Sequence, residues 1–96
     1  MYFLVYTEDS AENAHKRGPF LAEHREWLKS NHDGVTLHVA GPWTDDKGVS
    51  KGSVLLIETA NESRARSWMA EDPFVREGVP GVSLLRPFNW IVGKPS

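Results

Sequence analysis

His24 is the residue in this chain best placed to move a proton. Phe20 and Leu21 stand four and three residues before it, and Trp27 and Leu28 three and four after. On a helix those offsets form one stripe, so the imidazole occupies the middle of an apolar face. A ring nitrogen buried there needs a polar partner, because burying it alone costs free energy. Asp72, far along the chain, is the expected partner. It stands at the end of a second helical segment, where a carboxylate opposes the helix dipole by about 0.3–1 kcal/mol. One compensation is structural: Asp72-Pro73 reads as an N-cap followed by proline at the first position of a short turn through Arg76. The other is chemical: the carboxylate accepts the N–H of His24 and so fixes its tautomer. The two roles are compatible, since a carboxylate has two oxygens. An imidazole oriented in this way does general acid–base chemistry, taking a proton from a phenol or an acidic carbon.

Bringing the two residues together is the task of the elements around them. Residues 2–7 are apolar, aromatic and β-branched and meet Glu8-Asp9-Ser10, the pattern of a strand. A polar stretch over 8–17 reads as a loop with a helical turn. Gly18-Pro19 starts the first helix, and Asn31-His32-Asp33-Gly34 stops it after Ser30 or Asn31. Val35 to Ala40 alternates as a second strand ending at Gly41-Pro42. Residues 44–52 are turn formers, and Ser53 to Glu58 is a third strand. Thr59 to Glu62 fits a capping box, with Asn61 as the rival N-cap. The second helix carries Ala65, Trp68 and Met69 on one face and stops near Glu71 or Asp72, because Pro73 disfavours helical geometry before it. Val82 to Val92 is the last strand.

The order strand, helix, strand, strand, helix, strand predicts a single α+β domain over residues 1–96. Its expected form is a ferredoxin-like four-stranded antiparallel sheet with both helices on one face. Pro87 lies inside the fourth strand, and proline belongs on sheet edges, where this fold puts that strand. The topology brings Asp72 to the same end as the start of the first helix, with the loop of residues 8–17, Pro42, Trp43 and Ser53 around it. Separate segments converging at one end are how small-molecule pockets are built. Trp43 is expected at the rim. Val54 to Ile57 and residues 2–6 are apolar without alternation, so the second sheet face is expected to pair with another copy as a homodimer. Trp27, Trp68 and Trp90 are expected in the core or that interface. His15 and His32 are expected at exposed positions, and His38 on the surface or at the interface.

Composition narrows the function classes. The chain has 96 residues, a formal charge of −2 and no cysteine, which excludes disulfides, thiolate nucleophiles and zinc–sulfur sites. The charge gives no reason to expect nucleic acid or an anionic membrane as partner. No apolar stretch approaches a spanning helix and no secretory leader is visible, so cytoplasm is the default expectation. No histidine pair has metal-ligand spacing and no glycine-rich phosphate loop occurs, so neither a metal nor a nucleotide site is expected.

The chain also resembles the YciI-like (YCII-related) family along nearly its whole length. The likeness rests on the opening Met1-Tyr2-Phe3-Leu4-Val5-Tyr6, the helix Ala22 to Leu28, Ala40-Gly41-Pro42, Gly52 to Ile57, Asp72-Pro73-Phe74-Val75 and the closing Arg86-Pro87-Phe88-Asn89-Trp90. The resemblance implies a dimeric α+β barrel and cofactor-free chemistry by a His–Asp pair in a cavity, matching His24 and Asp72. Some members of that family assist loss of chloride from chlorinated hydroxyquinols. A basic residue before the family helix matches Arg17, with Lys16 beside it, which implies a hold on an anionic substrate or developing enolate. Ser53 is expected to donate a hydrogen bond there. This chain differs at Glu23, where a small residue is common, and at Trp43, where the family carries something smaller; both bear on the substrate. The expectation is a small lyase- or dehydrochlorinase-like enzyme for an oxygenated, aromatic-type substrate. The alternative is a non-catalytic small-molecule-binding or accessory domain of the same fold. A cofactor-free monooxygenase on the same barrel rests on fold analogy alone.

Overall fold

The computed structural model describes residues 1–95. The strands are β1 (Tyr2–Asp9), β2 (Val35–Thr44), β3 (Ser50–Thr59) and β4 (Pro80–Phe88). The helices are α1 (Arg17–Lys29), α2 (Glu62–Glu71) and the single turn α3 (Pro73–Arg76), with a 3-10 turn over Ala14–Lys16 leading into α1. The strands form one antiparallel sheet in the order β2-β3-β1-β4, the ferredoxin-like α+β arrangement. Pro87 lies on the edge strand β4 opposite Phe3, where a missing N–H costs least.

The other edge strand, β2, runs past Gly41-Pro42 to Thr44, longer than its sequence suggests. An edge strand tolerates Pro42 for the reason that β4 tolerates Pro87. β3 correspondingly begins at Ser50, and the hairpin loop shrinks around Asp45. Its Oδ1 accepts the backbone N–H groups of Lys47 and Val49 at 2.9 and 3.0 Å. The Val49 N–H in particular holds the Asp45 carboxyl below the usual carboxylate range. β4 ends at Phe88 rather than Val92. Asn61, not Thr59, caps α2, its side chain accepting the Arg64 N–H at 2.9 Å. No helix among the described residues is long and apolar enough to cross a membrane.

Strand alternation sorts the side chains. Phe3, Val5, Val35, Leu55, Ile57 and Leu85 face the helices and are buried, as are Ala65 and Trp68 of α2. Burying each large member contributes about 1.5–3 kcal/mol relative to leaving it in water. Trp27 and Leu28 bring α1 onto this layer. His32 departs from its expected exposure. The chain turns under the end of α1, and the ring sits edge-on to Trp27 and Trp68 at 5.0 and 5.5 Å between centroids. Its Nε2 and the Trp68 indole nitrogen are buried without a hydrogen-bond partner among the described residues.

The residues between these positions face the other way. Tyr2, Leu4 and Tyr6 of β1 pair with Glu58, Leu56 and Val54 of β3. Val39, Val82, Leu84 and Phe88 are exposed. A register shift between Leu37 and Val39 leaves His38 as an extra residue in β2. Its Nε2 lies 2.9 Å from Glu58 Oε1, and its ring meets Tyr2 and Trp90 edge-on.

Candidate active site

Antiparallel register aligns three strands at the end of the sheet where α1 begins and α2 ends. Thr7 of β1 stands opposite Ser53 of β3, and Ser53 opposite Pro42 of β2. The Ser53 N–H donates to Thr7 Oγ1 at 3.1 Å, fastening the serine in place. Asp9 closes β1 and Arg17 opens α1, and the two meet across the intervening turn. The guanidinium donates through Nε to Asp9 Oδ2 at 2.7 Å and through Nη2 to Oδ1 at 3.0 Å. The side chains are only 13% and 6% exposed, so a two-pronged geometry is what makes burial of these charges tolerable. Nη2 also reaches Ser53 Oγ at 3.4 Å. Lys16 turns aside and donates to the Glu77 carbonyl at 3.3 Å.

His24 and Asp72 meet in the interior. Nδ1 of His24 lies 2.7 Å from Asp72 Oδ1, and each residue is 6% exposed. The fold achieves this because Asp72 is both the last residue of one helix and the cap of the next. It ends α2 with extended backbone and starts α3 by accepting the Phe74 N–H at 2.9 Å. Both bonds fall on Oδ1, rather than one on each oxygen as the residue types suggested. Phe74 then lays its ring on the imidazole, with centroids 4.0 Å apart and planes 13° from parallel. The same ring lies 4.7 Å from the Arg17 guanidinium carbon, a cation–π contact. Imidazole, carboxylate and guanidinium are thus fixed against one another through a single turn, Asp72-Pro73-Phe74.

The second imidazole nitrogen, Nε2, has no hydrogen-bond partner among the described residues, and His24 lines a cavity of 210 Å³. Leu21, Arg25 and Leu28 line it from α1 together with Arg17, all on one stripe of that helix. The opposite wall is Ala40, Gly41 and Pro42 of β2, with Ser50, Ser53 and Leu55 of β3. His24, Arg17, Ser53 and Pro42 therefore share one space, and Asp72 stands behind the imidazole.

Trp43 does not join them. One residue beyond Pro42, it takes the opposite phase of the strand and stacks on Tyr6 at 5.9 Å between centroids and 11° between planes. Its indole N–H donates to the Thr7 carbonyl at 2.8 Å. The indole lies across Gly52, where a Cβ would fall on both the Thr7 carbonyl and the Trp43 ring. Glycine is the residue that leaves room for it.

Residue type and spacing do not single out Asp9, Phe74 and Arg25, which the fold brings to the site. Asp9 was visible as an acid at a strand end eight residues before Arg17. Arg25 stands four residues after Leu21 and three before Leu28, and so belongs to the stripe that His24 defines. The arrangement suits proton transfer: one imidazole with its tautomer set by a buried carboxylate, opening on a small, mostly apolar space. Among the described residues no three His, Cys, Asp or Glu side chains are grouped to hold a metal ion.

The YCII-related domain matches residues 1–89. An uncharacterized protein of Haemophilus influenzae and protein YciI of Escherichia coli are each 30% identical over 95 residues, covering 93% of this chain and 97% of each relative. Among solved structures, the 5-chloro-2-hydroxyhydroquinone dehydrochlorinase of Burkholderia phenoliruptrix, in complex with 2,5-dihydroxybenzoquinone, is similar with a TM-score of 0.77 at 26% identity. That likeness covers 93% of this chain and 94% of the other.

Proposed function

The chain belongs to the YCII-related family, and from that premise we propose that it is a small cofactor-independent enzyme carrying out acid–base proton transfer or elimination on an oxygenated ring compound. The observation that carries the reading is the His24–Asp72 contact of 2.7 Å behind a cavity that the imidazole lines. Asp72 holds the proton on Nδ1, which leaves Nε2 as the base. Removal of a ring hydroxyl proton builds negative charge on oxygen, and Ser53 Oγ and the Arg17 guanidinium stand beside the cavity to stabilise it. Pro42 and the leucines of α1 supply the apolar walls. The similar Burkholderia enzyme, a dehydrochlorinase of a chlorinated hydroxyhydroquinone, supports the substrate class. Loss of HCl from such a ring to give a hydroxyquinone needs no outside oxidant, only a proton acceptor and an exit for chloride. Incubation with 5-chloro-2-hydroxyhydroquinone should release one chloride per molecule consumed, read by ion chromatography. Absence of release across this and related halogenated hydroquinones would remove the elimination reading.

We further infer that the chain is a single domain that pairs with a second copy through the outer sheet face, as a dimeric α+β barrel. Val39, Val82, Leu84 and Phe88 are exposed there beside Tyr2, Leu4 and Tyr6, more apolar surface than a solvated sheet face carries. Equilibrium sedimentation should give twice the chain mass, and Leu84→Asp should give the single chain with its helix content unchanged. A monomeric unsubstituted protein would overturn the pairing.

A further inference from the structure

Three ionisable side chains line the cavity, and they differ in how their charge is spent. Arg17 is committed to Asp9 by two hydrogen bonds. His24 is committed to Asp72. Arg25 enters no hydrogen bond or ion pair among the described residues, although most of the chain's other arginines do. The helix itself offers it none: the positions three and four residues away are Leu21, Ala22, Leu28 and Lys29, and none is acidic. Glu23, nearby on the same helix, is taken by Arg76. Among the described lining residues there is no carboxylate. Arg25 is exposed while His24 is buried, so the free guanidinium stands at the mouth of the cavity and the imidazole on its floor.

We propose that Arg25 is the residue that selects the substrate's charge, and that the cavity takes a small organic anion. Its anionic group meets Arg25 at the mouth, and its apolar body lies along Leu21, Leu28 and Leu55 with the reacting end towards His24 Nε2. A volume of 210 Å³ falls below the roughly 300–1,000 Å³ of sites for drug-sized ligands, which limits the body to about one ring. A guanidinium suits this task because its planar fork matches a carboxylate or two adjacent ring oxygens. Charge selection by Arg25 rests on the cavity being the reaction site, but its test does not require turnover.

Benzoate and benzamide have nearly the same shape and differ in charge, so the pair isolates the electrostatic contribution. Titration of each, followed through the ring resonances of His24, should show benzoate binding about tenfold more tightly than benzamide, the size expected of one partly exposed charge-assisted contact. Arg25→Gln should erase that preference and leave benzamide binding unchanged, while Arg25→Lys retains part of it. The preference should also shrink as salt is raised. Equal binding of the two probes by the unsubstituted protein, failure of benzoate to perturb His24, or survival of the preference in Arg25→Gln would each overturn the assignment. Charge selection that depends on Arg25 in a protein that turns nothing over would leave this inference standing and remove the catalytic one. His24→Asn, with binding followed through the ring resonances of the probe itself, separates them from the other side, since it should cut turnover sharply and keep the preference for benzoate.

Discussion

Replacing His24 with asparagine should leave a folded protein whose turnover has fallen by about 10²–10⁴-fold, the range that a positioned general base contributes. Asparagine is the informative choice because its side-chain amide can donate to Asp72 Oδ1 as the imidazole Nδ1–H does, so the buried carboxylate keeps a partner. What asparagine lacks is a second nitrogen able to accept a proton from a molecule in the cavity. Chloride release and a thermal melt on the same preparation separate the two effects: the first should collapse and the second move little. Turnover within threefold of the unsubstituted protein would show that the reaction's proton goes elsewhere. His24→Ala is the harsher change, because it strands the Asp72 carboxylate beside the Phe74 ring.

Asp72→Ala should cost about 3 kcal/mol of stability along with the activity. One residue closes α2, caps α3 and orients the imidazole, and the last two of these depend on the single oxygen Oδ1. Loss of an N-cap side chain costs about 0.5–2 kcal/mol. Leaving the buried Nδ1–H of His24 without an acceptor adds about 1–3 kcal/mol. For a domain of this size each kcal/mol moves Tm by about 4–8 °C, so the transition should fall by more than about 10 °C. Asp72→Asn keeps a carbonyl oxygen where Oδ1 was and should retain most of the stability. It removes the negative charge that steadies a protonated imidazole, so its activity should still fall by at least about tenfold. A melt of Asp72→Ala within 3 °C of the unsubstituted protein would show that neither bond matters energetically.

Much of this was legible because the chain's punctuation is strong. The order of the elements, Pro87 on an edge and Pro73 after Asp72 together select one topology, and that topology places His24 beside Asp72. Less legible were features that depend on strand phase and partner choice. The proline at 42 reads locally as a strand stop, yet an edge strand has no neighbour on one side and continues through it. Assigning Trp43 to the cavity rim followed from that early stop; once β2 continues, alternation sends it to the opposite face. The acid that meets Arg17 is not singled out by nearness in the chain, since Glu8, Asp9 and Glu12 all lie within nine residues of it; the alternation of β1 turns Asp9 to the helix side, in phase with Phe3, Val5 and Thr7. The half-buried place of His32 is not legible from its polar neighbours, which say nothing of how the chain turns back under Trp27 and Trp68.

The Pro42-Trp43 step links surfaces that are otherwise separated by the thickness of the sheet. Pro42 forms part of the cavity wall, and Trp43 belongs to the aromatic pile on the far side, anchored to the Thr7 carbonyl. Proline fixes φ at this step, so a shift of the β2 backbone at Trp43 carries Pro42, and with it that part of the wall. A contact on Tyr6 and Trp43 from outside therefore falls one residue along β2 from the hollow, so the two faces of the sheet share a single stretch of backbone.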